Sequence, residues 1–397
     1  MKDIARRLLS AGQMTGTADR LLWKMQQAGM HREIILKKLS ELTGMTTKEL
    51  KALLQDAALA SWQDEADMLG QVGIVLTDPL ENPRVIEAMD AEYKKSLAEL
   101  ENLTRTTMDK TQQDLISLLD DAEMRVSAGT QSYNMAICQV LDEYAGKGIK
   151  VQYPTGTELT LEAAVRMCVV TSVNQTAAQI TNQYVVETGS NYVLFSAHPG
   201  ARTARDGQPA YAGHDTWQGR AFSIRGSEPG YPNLLESTGY DIDPVTGQGT
   251  VVDPLGAHGY NCRHSHRVWD KRLKNPWRDE NGNLVLGSGE ALTAEENEKR
   301  YKLQQKQRAM ERGIRKTKRE LLMKQHEING IAETDVRAIL QEDYNKLTAR
   351  LVKQNKAYND FCKENNLQPD YVRAKVADFG RRQRADADAG AKRMKAK

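Results

Sequence analysis

Residues 191–202 read N-Y-V-L-F-S-A-H-P-G-A-R and open a glycine-rich segment that runs to Asp270. The apolar run Tyr192-Val193-Leu194-Phe195 is short and is followed almost at once by His198-Pro199-Gly200, which predicts a brief strand feeding an ordered loop. Downstream, Ala221-Phe222-Ser223-Ile224 reads as a second short strand and Asn281-Gly282-Asn283 as a turn. Five of the seven histidines (His198, His214, His258, His264 and His266) fall in this segment, together with Cys262. Helical patterning lies on both sides of it. The fold class that follows is mainly α with a central α+β domain that is loop-rich, Gly- and His-rich and built on short strands.

Upstream, Thr160 to Val185 predicts a helix whose second half carries no charge from Thr171 to Val186. Gln175, Gln179 and Gln183 repeat every four residues there, so their amides line one face. A neutral amide stripe suits a helix packed on another surface with its amides hydrogen-bonded to it, since a solvated face normally carries charge. Earlier still, Asp78-Pro79 and Asn82-Pro83 mark a boundary, after which Ile86, Met89, Tyr93, Leu97 and Leu100 keep the three-and-four spacing of an amphipathic helix. The pattern continues through Leu115, Leu118 and Leu119, and again from Tyr133 to Tyr144 until Gly146 and Gly148.

The first eighty residues read as a small helical bundle, with a capping box at Thr46 and Glu49. Residues 31–55 could imitate a DNA-binding helix-turn-helix, but the second helix opens Thr-Thr-Lys-Glu with little base-reading chemistry, so an ordinary helical hairpin is the expectation. At the other end, Thr293 and Glu296 form a second capping box. Leu303, Met310, Ile314 and Leu321 then fall within about 40° on a helical wheel, a narrow apolar seam. Lys299 to Lys324 holds eleven Lys or Arg against Glu311 and Glu320, a local net charge of +9. A further amphipathic stretch spans Val336 to Tyr358, and the Ala-, Asp- and Lys-rich end is expected to fray. The expected organisation is an N-terminal helical bundle over 1–80, a long-helix region over 81–186, the central domain over 187–286 and a basic helical region over 287–397.

Composition sets the outer limits. At 397 residues, several structural units are expected. The net charge of +2 commits the whole molecule to no polyanion. No apolar run approaches bilayer-spanning length, so no membrane partner is expected, and the N-terminus does not read as a secretory leader. Cys138, Cys168, Cys262 and Cys362 form no C-x-x-C pair and three sit in predicted helices, so no disulfide framework is expected and assembly in a reducing cytosol is.

Three chemistries are open to the residues. Cys262, His264 and His266, with His198 or His214, offer the thiolate and imidazole ligands that zinc prefers; in an extended chain the C-R-H-S-H alternation puts all three on one face. The plainer reading, histidines serving as hydrogen-bonding pegs between loops with no cofactor, is preferred. A metal-dependent hydrolase of the nuclease type could draw on His214, Asn261 and His266, and a Cys262–His266 nucleophile pair could be written, but no dense carboxylate set accompanies them. The basic helix, through Arg308, Arg312, Arg315, Lys316 and Arg319, could meet nucleic-acid backbone or an acidic protein surface. No P-loop, no strand-borne G-x-G-x-x-G and no H-E-x-x-H is present.

The order of motifs resembles the phage minor capsid protein 2 family and, more broadly, Mu-type head-morphogenesis proteins. The resemblance rests on Glu187-Thr188-Gly189, the run Ser196 to Arg202, His214-x-x-Trp217-Gln218-Gly219, Tyr231-Pro232-Asn233, Asn261-Cys262-Arg263-His264 and the basic run Gln304 to Arg319. The Mu-type ending carries a cysteine where this chain has His264, and Trp217 replaces an aliphatic residue; both departures fit the minor capsid protein 2 group better. The resemblance implies a non-enzymatic virion component near the portal inside the capsid, assisting head assembly or DNA packaging, with portal or capsid proteins as partners and nonspecific contact with packaged DNA. Within the central domain, Trp217 and Phe222 are expected as core anchors, Gly219 and Gly259 as sites of tight backbone, and Asn261 and Arg263 as parts of the structural motif, with Arg263 and the histidines stitching loops.

Overall fold

The computed structural model describes residues 62–63, 65–96, 133–148, 150–153, 158–286, 289–376 and 378–395, with single positions at 59 and 98. The chain divides into two compact units: Met1–Gly44, Glu101–Val165 and Lys306–Lys397 form the first, and Met45–Leu100 and Arg166–Gln305 the second. The capping box at Thr46, the helical hairpin of 31–55 and the pattern at Leu115 to Leu119 lie outside the described residues. The described part is mainly helical, with small antiparallel sheets of two or three strands, as the sequence predicts.

The chain order is α1 (Tyr133–Lys147), β1 (Lys150–Gln152), β2 (Glu158–Thr160), α2 (Leu161–Thr188), β3 (Tyr192–Phe195), α3 (His214–Trp217), β4 (Ala221–Ser223), α4 (Leu234–Thr238), β5 (Tyr240–Ile242), β6 (Gly249–Val251), β7 (His266–Val268), α5 (Ala294–Gly330), α6 (Thr334–Glu364) and α7 (Arg381–Lys395). The strands predicted at Tyr192 and Ala221 are β3 and β4. They pair antiparallel with Val193 opposite Phe222, and β7 adds on the other edge with Leu194 opposite Arg267, so β3 is the centre of the three-stranded sheet. The sequence does not predict strands β1, β2, β5 and β6: each is three residues long and lacks the longer apolar run that marks β3 and β4.

In the second unit the core gathers Leu69, Val85, Met89, Ile180, Tyr184, Val193, Phe195, Trp217, Phe222 and Tyr240. The helical stretch 83–96 starts as expected after Asn82, whose Oδ1 accepts the amides of Arg84 and Val85. Its buried face differs from the predicted one: Val85, Met89, Glu92 and Ser96 turn inward while Ile86 stays exposed, since the inward row is set by what packs against it.

The uncharged half of α2 does what its amides predict. Gln175 Nε2 donates to the His258 carbonyl at 2.9 Å, Gln183 Nε2 to that of Gly247 at 3.3 Å, and Asn174 Nδ2 to that of His264 at 2.8 Å. Gln179 bonds Gly249 twice, donating to its carbonyl at 2.9 Å and accepting its amide at 3.0 Å. Asn182 Nδ2 donates to the Tyr240 hydroxyl at 2.9 Å. One helix face thus satisfies loop backbone that has no strand partner of its own.

In the first unit the capacity for close approach decides the packing of the C-terminal end. Residues 381–395, expected to fray, form α7 against α6; Ala387 and Ala391 are buried, and a Cβ on Gly390 would meet Thr348 Oγ1 at 2.8 Å. The alanines and glycine that give this segment its low-complexity look are what let the two backbones approach. Ile314 and Leu321 of the predicted seam are buried, and Met310 is half-buried. The α1 terminus falls at Lys147, with Gly148 at φ +73° as the left-handed stop. All four cysteines are free and buried.

Two substitutions test this packing. Gln179→Met is expected to cost roughly 1–3 kcal/mol, because it leaves the buried N–H of Gly249 unpaired while the carbonyl keeps only its bond from Gln248 Nε2; urea unfolding followed by tryptophan fluorescence measures it. In the first unit Lys324, 4% exposed, pairs with Asp142 at 2.6 Å and with the fully buried Glu327 at 2.7 Å. Lys324→Met is expected to cost about 3–5 kcal/mol by stranding a buried carboxylate. Lys324→Met/Glu327→Leu should regain most of that loss, and a double variant no more stable than the single would refute the assignment.

Candidate functional site

The site is assembled in the second unit, where β3 delivers the Ser196–Arg202 loop. Asn297, buried in the first turns of α5, clamps this loop by accepting the Ala201 amide at 2.8 Å and donating to the Ala201 carbonyl at 3.0 Å. The predicted capping box holds the same helix start: the Glu296 amide donates to Thr293 Oγ1 at 3.2 Å and the Thr293 amide to Glu296 Oε2 at 3.0 Å. Arg202 reaches across the loop and donates to the carbonyls of Leu255 and Tyr260.

The one-turn helix α3 opens with His214 and closes with Trp217, and both are buried. Trp217 Nε1 donates to the Tyr211 carbonyl at 2.9 Å, and its ring lies edge-on to Phe195 at 5.2 Å. Trp217 and Phe222 are core anchors as expected. Gly219 sits at φ +66°, where a Cβ would meet Leu284 Cδ1 at 2.6 Å, and a Cβ on Gly259 would meet the Pro254 carbonyl oxygen at 2.2 Å, so both positions exclude a side chain. Asn261 holds a positive φ of 58° at the turn into Cys262 and is exposed, as is Arg263. Beyond them Cys262, His264 and His266 alternate inward with Arg263 and Ser265 outward, the one-face arrangement of an extended chain.

The inward rings separate into two groups. His258, which nothing in its local sequence singles out, lies with Nδ1 2.5 Å from Asn174 Oδ1 and Nε2 2.8 Å from His266 Nδ1; His266 Nε2 is 2.9 Å from Asn182 Oδ1. All four nitrogens of this pair are engaged, so His266 is a structural peg and not part of a ligand cluster. The second group joins His214, Cys262 and His264, whose ligand atoms all lie within 4.8 Å of one another. His198 stacks on His264 with ring centroids 4.3 Å apart. His214 Nε2 is 2.8 Å from the Leu255 carbonyl. His264 Nε2 is 3.3 Å from Gln218 Oε1, which also accepts the His198 backbone amide at 3.0 Å.

Burial governs the electrostatics. Desolvation pulls His214 down to about 3, helped by the positive charge of Arg202, and pulls His266 down to about 3. Burial lowers His198, His258 and His264 as well and raises the Cys262 thiol. Burial thus disfavours the charged form of each ring, and a buried uncharged imidazole serves as a hydrogen-bonding strut. A hydrolase would need ligands converging on a position that solvent and substrate can reach. Here His214, Cys262 and His264 are at most 2% exposed, while Asn261 is exposed at the surface, so the hydrolase geometry is not favoured.

The predicted basic contact residues separate too. Arg315 and Arg319 are buried, with their guanidinium groups donating to the carbonyls of Arg373 and Ala145, and Lys318 donates to that of Ala374 at 2.6 Å. They are internal struts of the first unit, which corrects their assignment as contact residues. Arg312 and Lys316 are exposed and Arg308 is half-buried.

Of the residues that sequence reasoning missed, Asn174 and Asn182 carried a signal, since they adjoin the glutamine row on the same uncharged helix. Asn297 carried none and is identified only by its partner across the fold; His258 and Gln218 were visible in the sequence, but their partners were not.

Stability should track the protonation of these rings. An unfolded histidine titrates near 6.5, whereas His214 and His266 fold with values of about 3, so the unfolded chain takes up protons first as the pH falls. Stability is therefore complete above about pH 6.5 and is lost from there toward pH 3, by up to about 1.4 kcal/mol per pH unit for each ring. Thermal melts followed by near-ultraviolet circular dichroism should be flat from pH 8 to 7 and fall steeply from pH 6.5 to 5. Equal melting at pH 7.5 and pH 5 would overturn the neutral-ring reading.

Among the described residues no helix is long and apolar enough to cross a membrane. The family model described as Phage minor capsid protein 2 matches residues 1–363. No curated protein and no solved structure matches the chain. With nine-tenths of its length matched, the motif order around His198, His214, Trp217 and Cys262 has a single reading: the chain belongs to the phage minor capsid protein 2 family and is a structural protein of the phage virion.

Proposed function

We propose that the protein acts by binding other components of the phage head, docking through its helices on the portal or the inner capsid surface, and that it has no catalytic role. The observation that carries this reading is the closure of the histidine cluster within a chain whose family is a capsid family: the residues best suited to chemistry are sealed and engaged in holding loops. What remains for function is surface. Arg312 and Lys316 project from the first unit's part of α5, the Lys316 side chain 56% exposed with only a 3.9 Å pairing to Glu320. Arg381, Arg382, Arg384 and Lys392 are exposed on α7. These groups suit a polyanion, either DNA backbone or an acidic protein face, and without interleaved aromatics any nucleic-acid contact is to phosphate.

The test is Arg312→Glu/Lys316→Glu in the full chain. Both positions are exposed, so the melting temperature should stay within about 2 °C of the parent. For duplex DNA, affinity should fall, and the slope of log K against log salt should become shallower by about 2, close to one for each phosphate no longer neutralised. Purified heads assembled with the variant should carry fewer copies of the chain than heads assembled with the parent. Unchanged DNA binding with reduced incorporation would assign the face to a protein partner. Absence of the chain from purified virions would overturn the head-component role.

A further inference from the structure

We infer that His214, Cys262 and His264 form a structural zinc site, completed by His198, which locks α3 to the 255–266 loop. The outer hydrogen bond of each ring fixes which of its nitrogens is bare. A carbonyl oxygen only accepts, so His214, 2.8 Å from the Leu255 carbonyl through Nε2, carries its proton there and leaves Nδ1 bare. Gln218 Oε1 accepts the His198 amide, so it is the oxygen of that side chain; His264 donates to it through Nε2 at 3.3 Å and leaves its own Nδ1 bare, 3.8 Å from Cys262 Sγ. His198 Nδ1 faces the Pro199 carbonyl at 3.3 Å, which makes Nε2 its bare nitrogen, and that nitrogen is buried with no hydrogen-bond partner.

Three imidazoles thus hold their protons on hydrogen bonds to a carbonyl or an amide oxygen and each leaves one nitrogen bare; the ligand atoms of His214 and His264 converge with the Cys262 thiol, and the bare His198 Nε2 is buried beside them. Such outer bonds are what fix the tautomer and ring orientation of metal-binding histidines. A Cys-His cluster serving only as packing has no need of a bare nitrogen left buried without a partner. The donor set selects the ion: sulfur and nitrogen with no carboxylate suit zinc and exclude magnesium and calcium. The His214, Cys262 and His264 ligand atoms lie within 4.8 Å of one another, whereas a tetrahedral zinc needs about 3.5 Å, so the site closes by roughly 1 Å on loading.

His198, stacked on His264, supplies the fourth ligand. Binding replaces the Cys262 S–H bond with an S–Zn bond and releases that proton to solvent. At most 2% exposure of His214, Cys262 and His264 leaves no place for a substrate water, which makes the site structural.

The experiment uses the full-length chain, purified and dialysed against excess chelator at neutral pH, then analysed for metal. One zinc per chain is expected, and cobalt exchanged into the site should give a thiolate-to-cobalt charge-transfer band with tetrahedral visible bands. Cys262→Ser should lose the charge-transfer band, whereas Cys362→Ser, whose thiol is buried in the other unit, should keep it. His198→Gln should shift the visible bands if it supplies the fourth ligand. Should Cys262→Ser fail to fold, the cobalt spectrum of the parent still decides the question. Overturning results are a folded parent that binds neither zinc nor cobalt through thiolate, or one that refolds to the same melting temperature with chelator as with zinc. None of them touches the head-component role, which is read from virion content.

Discussion

Gln179 bonds Gly249 through both ends of its amide, Asn174, Gln175 and Gln183 on the same helix donate to the carbonyls of His264, His258 and Gly247, and Asn182 donates to the Tyr240 hydroxyl. The second unit depends on this ladder. Its three-stranded sheet and the β5–β6 pair are too small to pair the backbone of a segment with so many loops, and each buried carbonyl or amide left over would cost stability. A side-chain amide both donates and accepts without carrying charge, so a row of them can face backbone of either polarity in a buried setting. Charged residues there would need desolvation, and apolar ones would leave the loops unsatisfied.

The histidines extend the same device from the loop side. His258 and His266 are wedged between Asn174 and Asn182, and His214 and His264 are anchored outward on Leu255 and Gln218. Phe195, Trp217 and Tyr240 pack around them, so the rings are held neutral by burial and oriented by hydrogen bonds at once. The zinc ion we infer among His214, Cys262 and His264 would continue that logic, adding a link between loops that have little regular structure to share.

Charge on α5 shows how far composition can mislead about surface. A net +9 between Lys299 and Lys324 looks like one exposed basic face. Arg315, Lys318 and Arg319 instead spend their donors on backbone carbonyls, and Lys324 neutralises Glu327. Long basic side chains cover apolar surface with their stems and cap carbonyls with their heads, so counting charges along a helix overstates what a partner can reach. Lys299, Lys302, Lys306, Arg312 and Lys316 are what remains exposed.

Much of this was readable from the residues. Strands β3 and β4, the Thr293–Glu296 capping box, the packed amide face, the core role of Trp217 and the need for glycine at 219 and 259 follow from local rules: alternation, capping, periodicity and backbone geometry, each set within a few residues. The inward row of Cys262, His264 and His266 was equally visible as a two-residue period. Tertiary structure alone decided which histidines meet, separating His266 from His214, Cys262 and His264 and introducing His258, because those pairings join positions that only the folding of α2 against the 247–266 segment brings together. It also decided that Arg315 and Arg319 turn inward and that the alanine-rich end docks on α6, since burial depends on what stands opposite a helix face, and no single stretch of sequence contains that neighbour.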